Sequence, residues 1–163
     1  MPLLQLFVRR AFSMSEYSLD EFIPLIREVI DSGGEFRLCP KGTSMLPLLR
    51  QGIDSVALVA PRKFKRGDIL LYQRANGQYV LHRLVRMRRD GSLWFSGDNH
   101  MTREKGIDRK QIIASVAAVY RVEKRKERDA FGMRLYAKMM TFSLCKGAVI
   151  FVRRVGRFLF NKR

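Results

Sequence analysis

The chain is short of several things at once. Its 163 residues include two cysteines, Cys39 and Cys145, far apart in sequence. That excludes a disulfide framework and the paired spacing of a zinc site, and it suits a reducing compartment. Two histidines, His82 and His100, are too few for a histidine-rich metal site, and no metal or cofactor is expected. No stretch reaches the roughly 18–20 apolar residues that cross a bilayer, so no spanning segment is expected. The opening "MPLLQLFVRRAFSMSE" is interrupted by Arg9 and Arg10 and lacks the basic start and longer apolar core of a secretory signal. The expected location is the cytoplasm. Internal repeats and low-complexity segments are also lacking.

Acidic residues are scarce as well, 15 against 32 Lys and Arg, for a net charge of +17. Such a surface attracts anions: nucleic acid, anionic lipid or an acidic partner. The imbalance is uneven. Residues 1–34 carry a net −2, residues 35–120 a net +9 and residues 121–163 a net +10.

What the chain does have is patterned apolar content, 47% of its residues, enough for one globular domain with appended helix. "SLDEFIPLIREVIDSGG" reads as a helix. Ser18 and Glu21 form a capping box, Phe22, Leu25, Ile26, Val29 and Ile30 make one apolar face, and Gly33-Gly34 stop it. From residue 35 to 121 the texture is that of short strands. Asn76-Gly77 and Asp90-Gly91 are hairpin signals that bracket the strand "YVLHRLVRM". Spacing near ten residues predicts a compact antiparallel β domain, barrel-like in character. Residues 122–163 return to helical texture. Met133, Ala137, Met140, Leu144, Phe151, Val155 and Phe158 fall close to one stripe, with Arg134, Lys138, Lys146, Arg153 and Arg157 mostly off it, and Gly147 marks a break. The longest nearly uncharged stretch, Met139 to Val152, makes a helix of about 21 Å, short of a hydrocarbon core of about 30 Å. Segment 131–163 therefore suits an anionic membrane surface, at the inner membrane face, or packing on the β domain. Nucleic acid is the disfavoured partner.

Three polar residues stand out. Ser44 lies in "KGTSMLPLLRQG", where Gly42 permits a sharp turn and frees backbone N–H groups at 42–44 to face an oxyanion. His82 sits mid-strand, sharing a face with Val80 and Leu84, and an imidazole is the base that a weakly nucleophilic serine needs. Asp98, in "GDNH", has the carboxylate that could hold an imidazole in one tautomer, and Asp108 is a second candidate.

The ordered set "GTSMLPLLRQGID…RGDILLYQ…YVLHRLV…FSGDN…IIASVAAVYR" resembles the signal peptidase I and SOS-repressor (LexA-type) superfamily of serine peptidases. The resemblance covers about residues 36–121. It implies an irregular, mostly antiparallel β domain, giving a mainly β chain with a leading helix (1–34), a peptidase-like domain (35–121) and a basic amphipathic helical tail (122–163). It implies a serine endopeptidase of the Ser-His variety, acting on a peptide or protein. Ser44 falls on the nucleophile, His82 on the base and Asp98 on the Asp of Gly-Asp-Asn. Asp108 matches a later acidic residue only with longer spacing, and Gly67-Asp68 matches a structural Gly-Asp. Where relatives have a hydroxyl residue this chain has Gly42, so the N–H groups of Gly42, Thr43 and Ser44 are expected to form the oxyanion hole, with the Thr43 side chain a further helper. The spanning anchor common in the family is not matched, nor is a scissile bond for self-cleavage ahead of Ser44. The alternative reading is a non-catalytic basic β domain that binds anionic membrane or nucleic acid.

Overall fold

A computed structural model describes residues 12–13, 19–61 and 63–160. The opening segment, the Ser18 cap, the side chain of Phe158 and residues 161–163 lie outside the described residues.

Helix α1 spans Leu19–Asp31 and buries Ile26, Val29 and Ile30 as its 3.6-residue periodicity predicts, but it is rotated so that Ile23 is buried as well while Phe22 and Leu25 are only half-buried. It stops where the sequence predicts. Gly33 takes φ +86° and its N–H, with that of Gly34, closes back onto Ile30 and Val29.

Nine strands follow or flank it: β1 (Phe12–Ser13), β2 (Phe36–Cys39), β3 (Asp54–Val59), β4 (Ile69–Gln73), β5 (Tyr79–Met87), β6 (Leu93–Ser96), β7 (Glu104–Ile107), β8 (Ile112–Arg121) and β9 (Lys124–Glu127). They form one sheet in the order β1-β2-β3-β8-β4-β5-β6-β7, with β9 also on β8. Among the described residues only the β1–β2 pair is parallel, and no pairing closes this path into a barrel. The Asn76-Gly77 and Asp90-Gly91 turns join β4 to β5 and β5 to β6, as the sequence predicts. Gly77 and Gly91 both sit at positive φ, which a β-carbon disfavours. Bulges at Ala57/Leu58, Leu71/Tyr72, Leu84/Arg86 and Leu93/Phe95 bend the sheet.

Because strand side chains alternate, β4 feeds two cores. Ile69 and Leu71 join α1, β2 and β3 in the larger one, and Leu70 and Tyr72 pack with Leu84, Leu93, Phe95, Ile107 and Ile112 in the second.

The sheet does not end at Arg121. Val122 and Glu123, at φ 48° and 65°, turn the chain back, and β9 pairs with β8 over Ala118–Arg121. The helical tail therefore starts later than residue 122. It comprises α2 (Phe131–Thr141) and α3 (Ser143–Phe160), which meet at 99°. Their break falls at Phe142 rather than near Gly147. Neither helix alone is long and apolar enough to cross a membrane; only the bent pair together has the length and composition.

Candidate active site

Ser44 lies on an irregular loop between β2 and β3. Met45, Leu48 and Leu49 plug that loop into the larger core. Its far end is held by a fork from Arg50 to the buried Asp54, with Nε–Oδ2 and Nη2–Oδ1 both 2.8 Å, and by Arg121 donating to the carbonyls of Pro47 and Leu48. The loop is thus anchored on both sides of a half-buried serine.

His82 reaches the same place from β5. It pairs with Leu70, so it shares the second core with Tyr72 and Leu84, and it is 8% exposed. The link between serine and histidine is Gly97. A β-carbon on Gly97 would lie 3.1 Å from both His82 Nε2 and Ser44 Cβ, and 2.7 Å from the Ser44 carbonyl oxygen. The serine and the imidazole are therefore no further apart than twice 3.1 Å across that point. No direct hydrogen bond joins them here, a looseness common in sites without substrate. Asn99 N–H donates to the Ser44 carbonyl at 2.8 Å, so the 97–99 loop is strapped to the serine loop. Only glycine fits at 97.

Asp98 does not orient His82. Both of its oxygens take the Arg83 fork, Nε–Oδ1 and Nη2–Oδ2 each 2.7 Å, and Tyr136 of α2 donates to Oδ2 at 3.1 Å. The reason is the strand period: Arg83 follows His82 and points to the opposite face. Asp108 is not beside the imidazole either. It caps the 3₁₀ turn Arg109–Gln111 by accepting from Lys110 N–H at 3.0 Å.

The group on His82 Nδ1 is the Tyr72 hydroxyl, at 3.4 Å. That hydroxyl donates to Glu104 at 2.8 Å, and Arg74 grips Glu104 with both Nε (2.8 Å) and Nη2 (2.7 Å). Since the phenol proton goes to Glu104, the hydroxyl can only accept from Nδ1–H. This assigns the tautomer with a lone pair on Nε2, the nitrogen 3.1 Å from the Gly97 β-carbon position beside Ser44. The hairpin register could have revealed Tyr72, because it puts residue 72 diagonal to residue 82 on one face. Nothing local to Glu104 announces its role.

Burial dominates the titration of His82, pushing it from 6.5 down to about 4; the Glu104 carboxylate opposes this, and Arg74 and His100 add to it. Burial also works against charge on Glu104, but hydrogen bonds from Arg74 and Tyr72 outweigh it and keep the carboxyl below its ordinary value. Tyr72 is pushed well above a normal phenol, first by burial, then by Glu104, and stays neutral. The His100 ring stands edge-on, its centroid 6.3 Å from that of His82.

Of the three expected oxyanion donors, Gly42 is taken: its N–H donates to Gln51 Oε1 at 2.9 Å. Among the described residues no acceptor meets the N–H groups of Thr43 and Ser44. Two hollows flank the pair. One, of about 150 Å³, lies beside Ser44 against Pro40, Leu49 and Leu81. The other, of about 290 Å³, opens beside His82, Glu104 and His100. Two clefts of about 640 Å³ each lie under α2 and touch neither residue. Among the described residues no group of three or more His, Cys, Asp or Glu side chains could hold a metal.

No protein-family model matches the chain, and no curated protein or solved structure matches it.

Proposed function

We propose that this chain is a serine peptidase with Ser44 as nucleophile and His82 as base, similar to the signal peptidase I and SOS-repressor superfamily in its motif order. The observation that carries the reading is convergence on one point. The Ser44 Cβ and the His82 Nε2, 38 positions apart in sequence, both lie 3.1 Å from where a Gly97 β-carbon would be.

In the proposed reaction His82 Nε2 takes the Ser44 hydroxyl proton as Oγ attacks the peptide carbonyl carbon. The oxygen that becomes negative is held by the N–H groups of Thr43 and Ser44; one such donor is worth about 100- to 1000-fold. The imidazolium passes its proton to the departing amine nitrogen, leaving an ester on Ser44. Water then attacks the ester, His82 accepts its proton, and the acid product leaves as the hydroxyl is restored. Tyr72 and Glu104 are positioning residues: they hold Nδ1–H and favour the transient positive charge on His82. The hollow of about 150 Å³ beside Ser44 suits a short side chain next to the cut bond.

The test needs no knowledge of the substrate. A fluorophosphonate, which esterifies activated serines, is expected to label the wild-type chain and to fail with Ser44→Ala and His82→Ala, both folded by circular dichroism. Full labelling of His82→Ala would remove the base assignment. No labelling of the wild type at any pH would favour a non-catalytic basic domain.

A further inference from the structure

Helix α3 faces the wrong way for a helix that packs by its apolar stripe. Leu144, Phe151 and Val155, at helical spacing, are 90%, 68% and 39% exposed. The side it turns to the domain buries one large apolar side chain, Ile150, and otherwise carries cations. Lys146 is buried and donates to Ser96 Oγ at 2.6 Å, and Arg153 donates to Asn99 Oδ1 at 3.0 Å. Arg103, on the domain, reaches back to Ser143. Helix α2 repeats the arrangement more weakly, with Phe131, Leu135 and Met139 outward and Tyr136 inward on Asp98. Of the twelve large apolar side chains exposed among the described residues, eight lie between residues 131 and 155. No acidic residue occurs from 130 to 163, and exposed Arg134, Lys138, Arg154 and Arg157 flank the apolar rows.

We infer that α2 and α3 are a docking face for an anionic lipid bilayer, lying in the headgroup plane with their apolar rows in the acyl boundary. Exposed apolar area alone would admit several occupants, and charge decides between them. A second copy would bring two faces without a carboxylate together and repel. Nucleic acid would meet the cations but leave eight apolar side chains unused, whereas its interfaces are polar and wet. A bilayer with acidic headgroups uses both halves of the pattern. The 99° bend and the ties to Ser96, Asp98 and Asn99 keep the pair against the domain rather than across the membrane. Those ties end on the loop that packs on Ser44 and His82, so docking holds the candidate site close to the bilayer.

The experiment is sedimentation of the full chain with vesicles of phosphatidylglycerol and phosphatidylcholine, against phosphatidylcholine alone. The wild type is expected to pellet with the acidic vesicles, to be released by salt, and to stay in solution with the neutral ones. Leu144→Asp with Phe151→Asp, both at exposed positions, should weaken vesicle binding about tenfold or more, with an unchanged melting temperature. Arg154→Gln with Arg157→Gln should weaken it by a similar factor. Undiminished binding by either double variant overturns the proposal. So does equal binding to neutral vesicles, or a wild-type chain that dimerises in solution through this face and ignores acidic vesicles. Release of the protein from acidic vesicles by duplex DNA, with the aspartate variant binding DNA as tightly as wild type, would reassign the charge to nucleic acid. None of these readings depends on peptidase activity.

Discussion

Two arginine–carboxylate forks flank the candidate base, and they serve different ends. Arg83–Asp98 is almost wholly buried, with side chains 2% and 1% exposed. It lies on the face of β5 opposite His82 and ties the 97–99 loop to the sheet and, through Tyr136, to α2. Arg74–Glu104 is partly open, 34% and 24% exposed, and lies on the His82 face, where Tyr72 connects it to Nδ1. The difference teaches that a carboxylate in a recognisable motif can be a structural strut while its unannounced counterpart raises the pKa of the candidate base.

The comparison can be broken from either side, most drastically at Asp98. Asp98→Ala leaves Arg83 charged and buried with the Gly67 carbonyl but without its carboxylate, at a cost of about 3–5 kcal/mol, seen as a lower denaturant midpoint. A stability loss near zero would mean that the buried fork is not the strut described. Gly97→Ala, on the same loop, forces a β-carbon against the Ser44 carbonyl. Displacing the serine by about 1 Å should cost activity about 100-fold, measured as the fluorophosphonate labelling rate.

Glu104→Gln should do the reverse of Asp98→Ala. Stability should change by about 0–1 kcal/mol, while activity falls about tenfold because the imidazolium loses its nearby negative charge. The pH profile sharpens this. His82, held down to about 4, predicts activity that is flat across neutral pH and falls only as pH drops through about 4, not through the ordinary 6.5. Since Glu104 raises that value, Glu104→Gln should move the acid limb lower still. An acid limb near 6.5 in wild type would mean that the imidazole is more hydrated than its burial implies. The same depression has a stability consequence. The unfolded chain takes up a proton on His82 near 6.5 and the folded chain only near 4, so this contribution is present above 6.5 and is lost as pH falls between the two. The smallest effect belongs to Asp108. Asp108→Ala should lose its cap, about 0.5–1 kcal/mol, with the acid limb unmoved.

Much of this was legible because some local signals have one structural meaning. The two Gly-containing turns set the β4–β5–β6 register, and that register alone puts His82 with Val80 and Leu84 on a core face. The periodicity of α1 named Ile26, Val29 and Ile30 but missed Ile23, which the helix also buries. β9 was not legible, because "KRKE" is exposed at every position and shows no apolar alternation. The partner of Asp98 was not legible either, since the motif shows a carboxylate but not which neighbour it meets.

The sequence by itself determined the mainly β character, the hairpins and the leading helix. These follow from turn chemistry, side-chain period and residue type, all short-range properties. Only the tertiary structure decided that Glu104 through Tyr72, and not Asp98 or Asp108, stands behind His82, and that α3 turns its apolar stripe outward. Both are choices among long-range contacts, made where several elements meet, and the spacing within any one segment does not encode them.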